Sequence, residues 1–265
     1  MTGENRSKIN QILQVWPPGT VATQSWLEEQ NVYQQLAYEY ERSHWLKRIG
    51  QGAYIRQGDQ VDWTGGVYAL QRHTRLKTHV GGKSALELRG LAHFIPVGTG
   101  AYLYLFGTRG EKIPSWFKGY DWKRRLAYNT SNLFNNHELG LTKHSMDRYE
   151  ITVSTSERAY LELLHLVPKK QSVEEAFLIM EGLVTLRPKL LQELLESCRS
   201  IKVKRLFLYI AEKYKQQWFK KIDTSKINLG KGKRVITIGG HLDPKYQITV
   251  PNDTDYSAEE VNEKR

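Results

Sequence analysis

Apolar residues recur at helical spacing through the first forty residues and then switch to a two-residue rhythm. Ser7 opens KINQILQVW, a short amphipathic segment stopped by Pro17-Pro18-Gly19. The next segment, TQSWLEEQ, starts near Thr23, whose hydroxyl is placed as an N-cap ahead of the apolar Trp26-Leu27 pair. Asn31 and Gln34 have capping-box spacing and put the start of a third helix at about Val32. On a 3.6-residue wheel its Tyr33, Leu36, Ala37 and Tyr40 share one side. Gln35, Tyr38 and Arg42 centre the other, flanked by Gln34, Glu39 and Glu41. Residues 46–49 and 53–56 then read as strands around Gly50-Gln51-Gly52. Three short helices followed by a hairpin is the order of a winged helix-turn-helix, in which the third helix reads a DNA groove and the hairpin flanks it.

The remainder mixes both periodicities, so the expected fold class is α+β: a winged helix-turn-helix over residues 1–75, a larger mixed α+β domain over 76–250 and a loose polar tail over 251–265. Helical stretches are GGVYALQRHTRL, then SALELRGLAHF with a Ser84/Glu87 capping box, and ERAYLELLHLV with a Ser154/Glu157 box. SVEEAFLIMEGLV and RPKLLQELLESC follow, and last comes one long helix, IKVKRLFLYIAEKYKQQWFKKI. AYLYLFGTR, WKRRLAY, YEITVS, RVITI and YQITV are strand-like.

Charge changes this picture in one place. The net charge is +11 with a pI near 9.5, which favours a polyanionic partner. Residues 1–75 carry 8 Lys and Arg against 7 Asp and Glu, whereas residues 199–234 carry 12 against 2. Lys202, Lys204, Arg205, Lys213, Lys215, Lys220 and Lys221 surround an apolar stripe of Val203, Phe207, Ile210, Tyr214 and Trp218, and the run continues into Lys231, Lys233 and Arg234. It reads either as a solvated face or as a second surface, one that binds an anion.

On the third helix, Gln pairs bidentately with adenine and Arg with guanine, and Tyr reaches a phosphate or a thymine methyl. The candidate DNA contacts are therefore Gln34, Gln35, Tyr38 and Arg42. Thr23, Gln24 and Ser25, at a helix N-terminus, suit a phosphate, and Lys47, Arg48 and Arg56 suit the wing.

Catalytic chemistry finds little support. Gly82-Lys83-Ser84 lacks the first glycine of a phosphate-binding loop, because position 77 is Lys77. The single cysteine, Cys198, excludes an intrachain disulfide and a Cys-based zinc site, and the eight histidines lack close helical pairing. Asp121-Trp122-Lys123 and Asp243-Pro244-Lys245 have a nuclease-like acid-x-Lys spacing without a further constellation. No cofactor and no metal are expected. The polar start MTGENRSKIN and the short apolar runs point to a cytoplasmic protein without a membrane partner.

TVATQSWLEEQNV with LKRIGQGAYIR resembles the N-terminal winged helix of AbiEi-type antitoxins of type IV toxin-antitoxin, or abortive-infection, systems. VGGKSALELRGLAH, VKRLFLYIAEKYKQQWFKKID and INLGKGKRVITIGGHLDPKYQITVP extend the resemblance over nearly the whole chain. It implies a non-enzymatic DNA-binding autorepressor acting on double-stranded operator DNA with inverted repeats. It also implies antagonism of a separately encoded nucleotidyltransferase toxin, without a stable complex, and this antitoxin role is a further reading of the basic run of 199–234. The alternatives are a mobile-element repressor lacking a toxin partner, or a metal-dependent nuclease built on the two acid-x-Lys triplets.

Overall fold

The computed structural model describes residues 3–92 and 101–252, and its fold is mixed α+β. Most of the expected 251–265 tail, and the end of SALELRGLAHF beyond Ala92, lie outside the described residues. The chain forms two compact units that do not follow sequence order. The first comprises residues 1–80, 100–130 and 143–153, and the second residues 81–99, 131–142 and 154–265. The expected boundary at residue 75 falls inside the first segment of the first unit.

That unit opens with α1 (Gly3–Val15), β1 (Ala22–Thr23), α2 (Gln24–Glu29), α3 (Gln34–Arg42) and the hairpin β2 (Leu46–Gly50) and β3 (Ala53–Arg56). After α1, Gly19 takes a φ of +74°, and the Trp16 indole N–H donates to Thr20 O and Oγ1 at 3.3 and 3.0 Å. Thr23 caps α2 as expected, its Oγ1 accepting from Trp26 N–H at 3.3 Å. The Asn31/Gln34 box does not form. Asn31 sits at φ +57° after the end of α2, and α3 begins two residues later than expected, with Tyr33 as an N-cap that makes no side-chain bond. Ile9, Ile12, Trp16, Ala22, Leu27, Val32, Ala37, Tyr40, Leu46 and Tyr54 form one buried cluster. Burying side chains as large as Leu27 or Leu46 contributes about 1.5–3 kcal/mol each, and this sets how α3 lies against α1, α2 and the hairpin. The small antiparallel sheet runs β1-β3-β2, with a bulge between Arg48 and Gly50.

The same unit continues with α4 (Trp63–Arg72), capped by Asp62 through Thr64 N–H and Gly65 N–H at 2.8 and 3.4 Å. A five-stranded sheet follows, in the order β6 (Arg125–Thr130), β5 (Tyr102–Gly107), β4 (His79–Val80), β8 (Glu150–Ser154) and β7 (Leu141–Ser145). β5 pairs in parallel with β6 from Tyr102↔Arg125 to Gly107↔Thr130, and the crossover between them carries α6 (Ser115–Gly119). Gln71 on α4 ties the layers together: Oε1 accepts from Thr152 N–H at 2.7 Å, and Nε2 donates to Thr78 O and Thr152 O at 3.0 Å.

The second unit contains α5 (Gly82–Leu88), α7 (Ser156–Leu166), α8 (Val173–Gly182), α9 (Pro188–Ser197) and α10 (Ile201–Lys213). Two short 3-10 turns lead to a small sheet, β10 (His241–Asp243), β11 (Ile248–Val250) and β9 (Arg234–Val235). The other two expected capping boxes do not form at a helix start. α5 starts at Gly82 with Ser84 buried inside it, and α7 has Thr155 as its N-cap. The Ser154 hydroxyl donates instead to Glu162 at 2.7 Å, and Glu157 binds Arg187. α7 is buried on nearly every side, and its buried Arg158 and Glu162 are paired: Arg158 Nε reaches Glu162 at 2.8 Å, and Arg158 Nη1 reaches His137 O and Leu139 O at 2.6 and 2.7 Å. The expected long helix also stops early. α10 ends at Lys213, Lys215 takes a φ of +49°, and Trp218 reaches the core on a 3-10 turn.

Candidate nucleic-acid interface

Gln34, Gln35, Tyr38 and Arg42 are all exposed on α3, Tyr38 at 52%, while Ala37 and Tyr40 are fully buried on the opposite side. Tyr33, expected on the apolar side, is 63% exposed, because α3 starts after it and leaves it outside the helical phase. Residues recurring every three to four positions share a helix face, so the four exposed side chains form one polar strip. Burial pushes the Tyr40 phenol upward from its ordinary range, and neighbouring Glu39 adds to this.

The N-terminus of α2 is largely committed to holding the fold. Thr23 is 4% exposed, and its hydroxyl serves as the cap and shares a 2.9 Å bond with Ser25 Oγ. Gln24 N–H donates to Gly52 O at 2.8 Å, joining α2 to the hairpin turn, and its Nε2 donates to Glu28 Oε1 and Val32 O at 3.1 and 3.3 Å. Ser25 stays exposed.

On the hairpin, Lys47 and Arg48 are exposed, Arg48 Nε donating to Gly50 O at 3.2 Å. Arg56 is spent differently. Its Nη2 donates to Leu13 O at 2.6 Å, and its guanidinium carbon lies 5.5 Å from the centre of the Trp16 ring, so this half-buried residue clamps α1 to β3. Burial accordingly lowers its pKa. Sequence reading also missed the hairpin's support. A Cβ at Gly50 would lie 2.7 Å from Trp116 Cβ and 2.9 Å from its Cα, so α6 presses directly on the hairpin. A glycine beside a turn was visible in the sequence, but a partner 66 positions away was not.

The basic run of 199–234 divides in two. Lys204 and Arg205 are 4% and 3% exposed, and Lys202 Nζ donates to His165 O at 2.9 Å and to Val167 O, at the C-terminal end of α7. These three are removed from the expected anion-binding surface, because α10 is covered on more than one side. Arg205 Nε donates to Leu229 O at 2.8 Å, Nη2 to Gly230 O at 3.1 Å, and Nη1 to Gly232 O and Gln247 O at 2.6 and 3.1 Å. Gly230 and Gly232 adopt φ of +62° and +75° to turn their carbonyls inward. Lys220, Lys231 and Lys233 are exposed, Lys213 and Arg234 half-exposed.

The acid-x-Lys triplets are internally occupied. Asp121 pairs with Lys123, Asp243 Oδ1 accepts from Tyr246 N–H at 2.6 Å, and Lys245 pairs with Glu212. Among the described residues no group of three or more His, Cys, Asp or Glu could hold a metal ion, and no helix is long and apolar enough to cross a membrane. Cys198 is buried, which pushes its thiol up to about 11, far from a reactive thiolate.

The fold has a counterpart of known structure. The crystal structure of the RV2827C protein from Mycobacterium tuberculosis aligns with a TM-score of 0.60 at 13% identity, covering 99% of this chain and 96% of that chain. No curated protein matches the sequence significantly. Family models define the class: one described as "Transcriptional regulator, AbiEi antitoxin N-terminal domain" matches residues 5–97, and one described as "Transcriptional regulator, AbiEi antitoxin, Type IV TA system" matches residues 101–251. The chain belongs to the AbiEi antitoxin family of transcriptional regulators.

Proposed function

We propose that α1, α2, α3 and the β2–β3 hairpin act as a winged helix-turn-helix that binds double-stranded operator DNA with inverted repeats and represses the protein's own operon. The carrying observation is the polar strip of Gln34, Gln35, Tyr38 and Arg42, set on a helix whose other side is buried and followed by a hairpin bearing Lys47 and Arg48. In this reading α3 enters the major groove and the hairpin lies on the backbone. Ser25 adds a phosphate contact, whereas Thr23, Gln24 and Arg56 hold the scaffold. The exposed cations Lys220, Lys231 and Lys233, with Lys213 and Arg234, form a second, anion-binding surface. The protein is non-catalytic and cytoplasmic, and it counteracts a nucleotidyltransferase toxin encoded beside it.

Fluorescence anisotropy with the DNA upstream of the gene and with random DNA tests the DNA-binding reading. Arg42→Ala and Gln35→Ala are expected to lose about 1–3 kcal/mol on the upstream sequence alone, the cost of a bidentate base contact. Lys47→Ala and Arg48→Ala are expected to weaken both DNAs alike. Equal losses on the two DNAs for the first pair refute base reading by α3. Co-expression with the neighbouring gene tests the antitoxin role, and failure to rescue growth refutes it.

A further inference from the structure

The second unit holds a cavity of about 240 Å³ at the start of α7, walled by Arg89, Thr155, Ser156, Glu157 and Arg187, with Leu91, Leu183 and Leu186 beside them. Thr155 is the N-cap of this 11-residue helix and is 6% exposed, yet its hydroxyl makes no capping bond and has no partner among the described residues. A buried hydroxyl left unpartnered is costly and calls for an explanation. The amides of Ser156 and Arg158 lie in the first turn, where no carbonyl of the helix can accept from them. Arg89 spends two of its five N–H groups on one acceptor, Ser154 O, at 3.4 and 3.3 Å, both long for hydrogen bonds.

Glu157 is the one acidic group in the wall, and it is neutralised. Its carboxylate takes Arg187 N–H at 2.8 Å, Nε at 3.0 Å and Nη2 at 3.0 Å, and is held below its ordinary range by these bonds although burial opposes them. The Arg187–Glu157 pair cancels, and Arg89 leaves the cavity with one net positive charge. Donors thus converge there: the Arg89 guanidinium, the Thr155 and Ser156 hydroxyls and the positive end of a helix.

We propose that this cavity binds the phosphate group of a small phosphorylated ligand, with Arg89, the Thr155 and Ser156 hydroxyls and the first amides of α7 donating to its oxygens. A phosphate has enough oxygens to use all these donors, whereas a carboxylate has two. The cavity is larger than one phosphate, and the leucines beside it suit an organic substituent. Inorganic phosphate and a nucleoside monophosphate share the recognised group, so both serve as probes.

The test uses the full chain, with thermal melts and titration calorimetry against inorganic phosphate, adenosine 5′-monophosphate, adenosine and acetate at matched ionic strength. Inorganic phosphate or the monophosphate is expected to bind and raise Tm, and adenosine and acetate are not. A larger response to the monophosphate assigns a nucleotide-like ligand, and an equal response assigns free phosphate. Thr155→Val removes a hydroxyl with no partner, so the unliganded variant should melt at or above the wild-type temperature while its affinity for the effective probe falls at least about fivefold. Arg89→Gln should lose binding altogether, with Thr155→Val remaining decisive if that variant fails to fold. Binding by neither phosphate probe, an equal response to acetate, or wild-type affinity in Thr155→Val overturns the proposal.

Discussion

Arg205→Ala separates a cation that builds the fold from one that serves a surface. Arg205 is 3% exposed and donates four hydrogen bonds of 2.6–3.1 Å to the carbonyls of Leu229, Gly230, Gly232 and Gln247. Hydrogen bonds involving a charged group contribute about 1.5–3 kcal/mol each. The four do not add in full, because Gly230 and Gly232 are exposed and their carbonyls can turn to water once the guanidinium is gone. Leu229 and Gln247 are half-buried, so their carbonyls are harder to rehydrate. The expected destabilisation is about 3–5 kcal/mol, roughly the sum for the two charge-assisted bonds to Leu229 O and Gln247 O. Urea unfolding of the full chain followed by circular dichroism measures it, and hydrogen exchange at residues 228–250 should show faster exchange concentrated in the loop and in β11. Lys231→Ala and Lys233→Ala, at exposed positions of the same loop, should stay within about 0.5 kcal/mol of wild type. A loss below about 1 kcal/mol for Arg205→Ala, or unchanged exchange at 228–234, refutes the assignment of Arg205 as the loop's anchor.

Gly50→Ala places a Cβ 2.7 and 2.9 Å from Trp116 atoms; the expected cost is about 1–3 kcal/mol, with weaker binding to specific and random DNA alike, and a fully stable variant would show that α6 does not brace the hairpin. Arg56→Leu should destabilise the chain by about 1–3 kcal/mol through the lost carbonyl bond to Leu13, yet leave the salt dependence of DNA binding unchanged, whereas Arg48→Ala should reduce that log-log slope by about one; a reduced slope for Arg56→Leu would return Arg56 to the DNA surface. His73 stacks on Trp26 with ring centres 4.8 Å apart and meets Tyr68 edge-on, and burial, aided by neighbouring Arg72, lowers its pKa from 6.5 to about 4. The unfolded chain therefore binds more protons than the folded one between these values, so this contribution to stability is complete above pH 6.5 and is lost as pH falls toward 4, by at most about 3 kcal/mol. Urea midpoints of wild type and His73→Gln across that window check it, and parallel curves contradict it.

What the sequence revealed and what it hid follow from the range of the forces involved. The polar strip of α3 and the hairpin were readable because each rests on local rules, the 3.6-residue period and a Gly-x-Gly turn between alternating strands. Capping boxes fail for the opposite reason. Ser154, Glu157 and Ser84 have the right spacing, but spacing says nothing about competing partners, and Glu162, Arg187 and the packing around α5 proved stronger. β4, of two residues, and β7, with the pattern LTKHS, carry too little apolar alternation to be seen and exist because the sheet recruits them. The grouping of residues 100–130 and 143–153 with the N-terminal helices is likewise a matter of sheet pairing and Trp116, contacts of long sequence separation.

The basic run of 199–234 shows why charge density alone is a poor guide to a surface. α10 buries every residue from 203 to 208, so two of its cations are carried inward by helix geometry whatever their solvation. For Arg205 the inward position is productive, because a glycine loop is wrapped on it with carbonyls facing the guanidinium. Such a loop must point its Lys231 and Lys233 side chains away from that like charge, toward solvent, where both are found. The buried arginine and the exposed lysines are thus parts of one arrangement: the first fixes the backbone, and the fixed backbone holds the others at the surface. A polyanion reaching this loop would meet lysines on a braced turn, whose ordering entropy is already met by folding. Loss of Arg205 should consequently weaken any anion binding at Lys231 and Lys233 while leaving both charges in place.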